Sequence, residues 1–538
     1  MENLGILGYR RLLPMSTGTS PLRRTRQPST SLPQRLRSRC RASHLTRVVI
    51  LASCFATAAL AHLASGHDKN AAPGTPRDSS SPLIFVQAPE LNTQPLDLRF
   101  PRGSRLVRLW PLAPDGEVKS LTPEFFAAAD PQVSFDGKKI LFAGKASAKS
   151  RWQIWEMNAD GSGKRQITKC EGDCLRPAYL PRGQIVYTAV SSSGELGSTL
   201  RVAALDGSGS QPITFAPTSF QLERVLQDGR LLVSASYPLQ PAGSGAHSRE
   251  FYTLHPDGTG LRALRCQHEQ GTFRGMAEEL ASGSLLYVDA SGADAPGGTL
   301  MRLDRGESHN RPASEPGPPV RSAIQLATDE LLVARQDTAV NGESRAAAKF
   351  GLYTFDLSRR SPDRLVYSDP AFHCVDPVLL SSRPAPRYFW SVVNPKLDVG
   401  YFIGLKSHLT AAGGRPAPAV MPSRVRVILG SARGSSAGEG EDAPVESDGS
   451  FYVSVPADSP LRFQLLDAQG EVLQEQRGWI WVRPGEQRAC LGCHADPALV
   501  PENAIPKILL RSDVPTPIGQ PKAGSAVSSR ASRGGVED

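Results

Sequence analysis

The pentapeptide Cys490-Leu-Gly-Cys-His494 is where residue types and spacing in this chain carry a defined chemistry. Two thiols separated by two residues can each form a thioether with a porphyrin vinyl group. The histidine that follows at once is then set beneath the ring as an axial iron ligand. The spacing therefore predicts one covalent c-type haem on Cys490 and Cys493, with His494 as the proximal ligand. With only eight Cys and ten His in 538 residues, such a motif seldom arises from composition alone. A structural zinc site and a redox-active dithiol are the alternatives. The first wants a fourth ligand nearby and often a second Cys pair, the second a βαβ setting that this stretch lacks.

Whether such a haem transfers electrons or reacts depends on the sixth iron position, because two protein ligands exclude a substrate and an open position admits one. His408 is the candidate sixth ligand within the same region, with His373 and Met421 as alternatives. Trp479, Trp481 and Arg483 are expected either at the haem edge or in the core of the domain that carries it. No Gly-x-Ser-x-Gly elbow opens a helix and no Gly-x-x-x-x-Gly-Lys loop occurs, so neither a hydrolase triad nor a nucleotide site is assigned.

The elements that position the motif must be sought in a chain of globular composition, 40% hydrophobic and 21% charged. Its 49 Gly and 45 Pro favour strands joined by turns over a helical bundle. The formal charge of +9 is local: residues 1–47 hold ten Arg, no Lys and one acid, Glu2. The other 491 residues carry 51 bases and 51 acids, which leaves no electrostatic case for nucleic acid. An apolar stretch over residues 48–64 follows the basic segment, with small residues where a signal peptidase would cut. The expectation is export to the periplasm or beyond, with a membrane anchor at this segment as the alternative. Export permits disulfides; Cys170 with Cys174, and Cys266 with Cys374, are the candidate pairs.

The body repeats. A strand-turn-strand phrase recurs around Gly137, Gly183, Gly229, Gly283 and Asp329, and a second phrase places Asp at 115, 160, 206, 257, 304 and 356. Both have hairpin chemistry. Six copies of a four-strand unit at this period predict a six-bladed β-propeller, since blades bury their faces only against neighbours in a ring. Pro131-Gln-Val-Ser-Phe-Asp-Gly-Lys-Lys-Ile-Leu-Phe142, followed by Trp152-Gln-Ile-Trp-Glu-Met-Asn-Ala-Asp-Gly161, resembles the propeller repeat of the TolB family. The Asp-Gly pairs are expected to form turns and to hold no calcium.

Beyond the ring, residues 375–386 form a Pro-rich exit suited to an extended connector. Residues 425–429, 449–455, 461–466 and 479–482 then alternate or run apolar at strand length. The expected fold class is all-β: a six-bladed β-propeller followed by a small β-sandwich-like domain bearing the haem motif. The expected organisation is a basic leader with signal peptide or anchor over 1–66, a linker over 67–82, the propeller over 83–378, the sandwich over 379–512 and a disordered tail over 513–538.

Residues 444–458 and 463–470, with Trp479-Ile-Trp-Val-Arg-Pro-Gly-Glu-Gln-Arg-Ala-Cys-Leu-Gly-Cys-His494, resemble proteins related to the alpha subunit of hydrazine synthase, which combine a propeller with such a domain. The resemblance is close over 444–503 and looser across the blades. It implies one haem c on Cys490, Cys493 and His494 in an exported redox protein. The family's catalytic subunit carries further haem motifs and a tyrosine four residues past the haem histidine. This chain has one motif and Ala498 at that place, so hydrazine synthesis itself is not expected. The expected role is one-electron transfer with a redox partner protein or complex subunit. The alternatives are a haem enzyme acting on a small nitrogen or oxygen species, and a propeller scaffold with a structural haem.

Overall fold

The computed structural model describes residues 81–92, 99–191, 197–238, 247–264, 272–291, 296–304, 310–313, 317–337, 348–358, 362–408, 420–430, 440–476, 478–491, 504–511 and 514–519. The leader expected over 1–66 lies outside them. Among the described residues no helix is long and apolar enough to cross a membrane.

Six four-stranded antiparallel sheets make the propeller. The first holds β1 (Leu83–Ala88), β2 (Arg105–Trp110) and β3 (Glu117–Ser120). Blade 2 is β4 (Ala127–Val133), β5 (Lys139–Lys145), β6 (Gln153–Asn158) and β7 (Arg165–Gln166), and blade 3 is β8 (Asp173–Leu180), β9 (Gln184–Val190), β10 (Ser198–Ala204) and β11 (Gln211–Pro212). Blade 4 is β12 (Ser219–Val225), β13 (Leu231–Pro238), β14 (His247–Leu254) and β15 (Arg262–Ala263), and blade 5 is β16 (Thr272–Glu279), β17 (Leu285–Ser291), β18 (Thr299–Leu303) and β19 (Arg311–Pro312). Blade 6 is β20 (Val320–Gln325), β21 (Glu330–Gln336), β22 (Phe350–Asp356) and β23 (Arg364–Tyr367).

The ring closes when β24 (His373–Leu379) adds to β1 as the innermost strand of blade 1. The innermost strands β24, β4, β8, β12, β16 and β20 touch in that order, and β20 returns to β24. This closure explains an asymmetry in the repeats: the first phrase occurs five times and the second six. Inner and second strands of blade 1 come from opposite ends of the ring, so no hairpin joins them. Part of the expected exit, Val375–Leu379, is thus a strand; its Pro377 is tolerated because β24 lies at a sheet edge.

Second strands read as continuous apolar runs, such as Ile140–Ala143 and Leu331–Ala334, because both their faces press on other blades. The Asp phrase forms turns. Asp160 Oδ1 accepts from Ser162 N and Oγ at 2.9 and 2.7 Å, and Gly161 takes φ +89°, which a side chain would oppose. Asp206, Asp257 and Asp356 repeat the arrangement with Ser208, Thr259 and Ser358.

The C-terminal part holds two four-stranded sheets. One is β31 (Gln487–Cys490), β25 (Val399–Gly404), β28 (Phe451–Pro456) and β32 (Thr516–Pro517); the other is β27 (Glu441–Pro444), β26 (Arg424–Leu429), β29 (Leu461–Leu466) and β30 (Val472–Glu475). A short helix α1 (Lys507–Arg511) precedes β32. Phe402, Val425, Val427, Val453, Leu461 and Val482 share one buried core. The fold therefore runs past the point where composition suggested a disordered tail. β32 pairs in parallel with β28 and Ile518 is buried, an apolar anchor that a Pro- and Ser-rich background hides.

Cys170 and Cys174 form a disulfide, and Cys374 is a free, buried thiol. The expected pair of Cys266 with Cys374 is thereby corrected: Cys374 faces the interior of blade 1 from the closing strand, while Cys266 lies outside the described residues.

Candidate functional site

Cys490 ends β31, an edge strand that pairs in parallel with β25 through Tyr401–Gln487, Phe402–Arg488, Ile403–Ala489 and Gly404–Cys490. The two chains continue together: Leu405 N donates to Cys490 O at 2.8 Å and Lys406 N to Leu491 O at 2.9 Å. The thiol is free, and burial pushes it up, with the nearby Glu486 carboxylate adding to the shift and Arg488 opposing it. Cys493 and His494 lie outside the described residues.

The segment leading into β31 is tied to the propeller as well as to the sandwich. Trp481 is fully buried among Ile213, Phe220, Tyr252 and Leu261 of blades 3 and 4, and its Nε1 donates to Gly258 O at 3.0 Å. Phe220 meets the indole edge-on, 5.5 Å between centroids at 87°. Arg483 donates through Nη1 to Asp257 O at 2.5 Å, lies 4.8 Å above the Phe215 ring and pairs with Asp458 at 2.8 Å. The buried Glu486 carboxylate closes the junction. It accepts from Gly260 N and Arg483 N, each at 2.8 Å, and from Arg488 Nη2 at 3.0 Å. Residues 479–482, expected as a strand, form only an isolated bridge at Ile480, and their large side chains divide between two surroundings. Trp481 and Arg483 face blade 4, whereas the Trp479 ring flanks Gly430 and lies 5.2 Å beneath Arg462.

Of the three candidates for the sixth position, His408 lies on the chain that runs alongside Cys490 and Leu491. It follows two residues after the backbone bond from Lys406 to Leu491. Its Nδ1 is buried without a hydrogen-bond partner among the described residues. Gly449, at φ +83°, lies against it, and a Cβ there would come within 2.3 Å of Nδ1. His373 is spent elsewhere. It sits on the closing strand of the propeller, its Nδ1 accepts from Phe350 N at 3.2 Å, and burial lowers its pKa to about 4. Met421 is exposed ahead of β26.

Sequence reasoning missed Glu486, which stands in a run of polar residues with no distinguishing neighbour. The usable signal was the pair Trp481 and Arg483 next to Pro484-Gly485, large side chains leading into a tight turn.

Residues 438–495, from the start of β27 through the whole pentapeptide, match the family model described as the hydrazine synthase alpha subunit middle domain. The alpha subunit of hydrazine synthase from Kuenenia stuttgartiensis is 24% identical over 545 aligned positions, covering 77% of this chain and 66% of that subunit. This chain is a relative of the hydrazine synthase alpha subunit. The solved hydrazine synthase of the same organism superposes with a TM-score of 0.68 at 22% identity, over 80% of this chain and 72% of that one. The alpha-subunit kinship therefore extends across both the blades and the sandwich as a shared fold. TolB from Acinetobacter baumannii also aligns, with a TM-score of 0.38 and 14% identity over 58% of this chain and 68% of that one. The chain spans just under two thirds of the alpha subunit's length.

Proposed function

We propose that this alpha-subunit relative is an exported c-type cytochrome carrying one haem on its C-terminal sandwich. It passes single electrons within a redox complex, and the propeller docks the partner or neighbouring subunit. The observation that carries the proposal is Cys490-Leu-Gly-Cys-His494, whose first cysteine stands as a free thiol at the end of a fastened strand. Cys490 and Cys493 would hold the porphyrin and His494 would be the proximal ligand.

The residues present fit such a group: a free thiol at Cys490, a His408 ring with an orphaned buried Nδ1, and a glycine at 449 that leaves the ring its place. His408 is accordingly our candidate for the second axial position. A bound haem supplies a reversible one-electron couple whose potential follows axial ligation, nearby charge and burial. The chain's own contribution is orientation. Trp481 and Glu486 fasten the segment leading into β31 to blade 4, and the buried Glu486–Arg488 pair places opposed charges within a few residues of Cys490. Kinship with hydrazine synthase favours a second reading, a haem enzyme acting on a small nitrogen or oxygen species at an open iron position.

The test is an optical spectrum of the protein exported from a strain with cytochrome c maturation, reduced, with and without carbon monoxide. A low-spin spectrum indifferent to carbon monoxide is expected, and His408→Ala should convert it to one that responds. A native spectrum that shifts with carbon monoxide would replace electron transfer by the second reading. Absence of haem bands would overturn both.

A further inference from the structure

Every innermost blade strand carries a β-bulge against its second strand. In five of the six blades the bulge presents a charged residue: Asp376 in blade 1, Asp130 in blade 2, Arg176 in blade 3, Glu223 in blade 4 and Arg321 in blade 6. Asp130, Arg176 and Asp376 hold left-handed backbone, at φ 54°, 47° and 52°, and each is followed by proline. A bulge turns a side chain that the pleat would otherwise send into a neighbouring blade. The innermost strands that carry them touch in a closed ring, and Asp376 N donates to Ser322 Oγ of blade 6 and Arg176 N to Asp130 Oδ2 of blade 2, each at 2.9 Å, so the bulges of neighbouring blades sit side by side around the axis.

The set is unevenly satisfied. Glu223 pairs with Arg176 at 2.9 Å and with Arg249 of β14 at 3.2 Å, and accepts from Ser234 at 2.5 Å. Asp130 accepts from Arg176 N at 2.9 Å. In contrast, Asp376 Oδ1 and Arg321 Nε are buried with no hydrogen-bond partner among the described residues, although Arg321 Nη1 reaches Pro296 O at 2.9 Å. Buried polar atoms of a folded protein are nearly always partnered, so two orphaned atoms of opposite kind on adjacent blades are available to a ligand. Burial pushes Asp130 up to about 6 and Asp376 upward as well, with the arginines pulling both back.

Charge decides the class of occupant. The five bulge groups comprise three acids and two arginines; Glu223 is held by Arg176 and Arg249, which leaves Asp130 and Asp376 together with Arg321, so a bare cation meets the arginine and a bare anion meets the acids. We propose that the bore of the propeller binds a small zwitterion of the amino-acid type, its ammonium on the Asp376 and Asp130 carboxylates and its carboxylate towards Arg321. The site is separate from the haem motif and independent of any haem.

The experiment is calorimetric titration of the full chain with glycine and β-alanine, alongside betaine, which has no N–H donors, and acetate and methylammonium, which each offer one end only. Saturable binding of the two amino acids and none of the other three is expected. Asp376→Asn should weaken binding at least tenfold while circular dichroism stays unchanged; Arg321→Lys should weaken it less, and serves as the second variant if Asp376→Asn does not fold. No saturable binding by the amino acids would mean that the bore holds water alone and would overturn the proposal. So would binding of methylammonium as tight as that of glycine, or affinity unaltered in a folded Asp376→Asn protein.

Discussion

The indole N–H of Trp481, on the sandwich, donates to the carbonyl of Gly258, in a turn of blade 4, across 3.0 Å. That side chain fills the space between blades 3 and 4, and six residues later the same chain enters β31, which ends at Cys490. Trp481 thereby joins the propeller to the segment that leads into β31.

Trp481→Ala should therefore cost about 3–5 kcal/mol, the usual range for emptying a buried aromatic site. Trp481→Phe, which keeps most of the apolar fill and drops the hydrogen bond to Gly258, should cost roughly 1 kcal/mol plus a small packing loss. Urea denaturation read by fluorescence and by circular dichroism checks both, and coincident loss of the two signals in Trp481→Ala would show the domains failing together. Little change on Trp481→Ala would mean that the junction contributes nothing to stability.

Glu486→Ala leaves Gly260 N and Arg483 N inside the junction without an acceptor, at about 1–3 kcal/mol for each buried group. Glu486→Gln keeps one acceptor oxygen and should recover part of that loss. Limited proteolysis within the exposed connector around Trp390 and Val392 gives the readout, with faster cleavage in the alanine variant than in the glutamine one.

Replacing Cys490 or Cys493 by Ser should each leave a single thioether, visible as a shifted alkaline pyridine haemochrome band. The double replacement should abolish haem staining on a denaturing gel. Retained covalent haem in the double variant would place the attachment elsewhere.

The acid side of the stability profile should carry the signature of His373. Burial, helped by Lys349 and Arg321, holds its pKa near 4, below the ordinary value of 6.5, so the folded protein keeps it neutral. The unfolded chain binds the proton first as pH falls. Its contribution is thus fully present above about pH 6.5 and is lost progressively down to about pH 4. Asp130 works in the opposite sense: burial raises it to about 6, so its protonated form favours the folded state as pH falls. Melting temperatures between pH 7 and 4 should decline less for His373→Gln than for the native chain, and more for Asp130→Asn.

Reduction of the Cys170–Cys174 disulfide opens a loop of very short span. The chain-entropy estimate for so small a loop is only about 2 kcal/mol. Melting with and without a thiol reductant should show a modest drop for the native chain and none for a Cys170→Ser, Cys174→Ser variant.

The amino-acid sequence by itself determined whatever depends on neighbours along the chain. Gly137, Gly183, Gly229 and Gly283 announced their hairpins because a tight turn demands φ values that few residues accept. The spaced aspartates announced turns, and at Asp160, Asp206, Asp257 and Asp356 the carboxylate closes on the residue two positions on. The pentapeptide 490–494 carries the expectation of haem attachment, because that expectation rests on spacing alone. The tertiary structure decided everything that brings distant residues together. Closure of the ring by β24 turned part of a Pro-rich stretch into a strand, and Ile518 drew the presumed tail into the sandwich. Trp481 could be read equally as sandwich core or haem edge, since a buried indole has the same local pattern whichever surface it meets. Asp130, Arg176 and Asp376 look like ordinary surface charges before prolines. Only the bulges, and the six-fold arrangement that points them inward, make them neighbours around the axis, because separations of 46 and 200 residues carry no information about distance until the ring is closed.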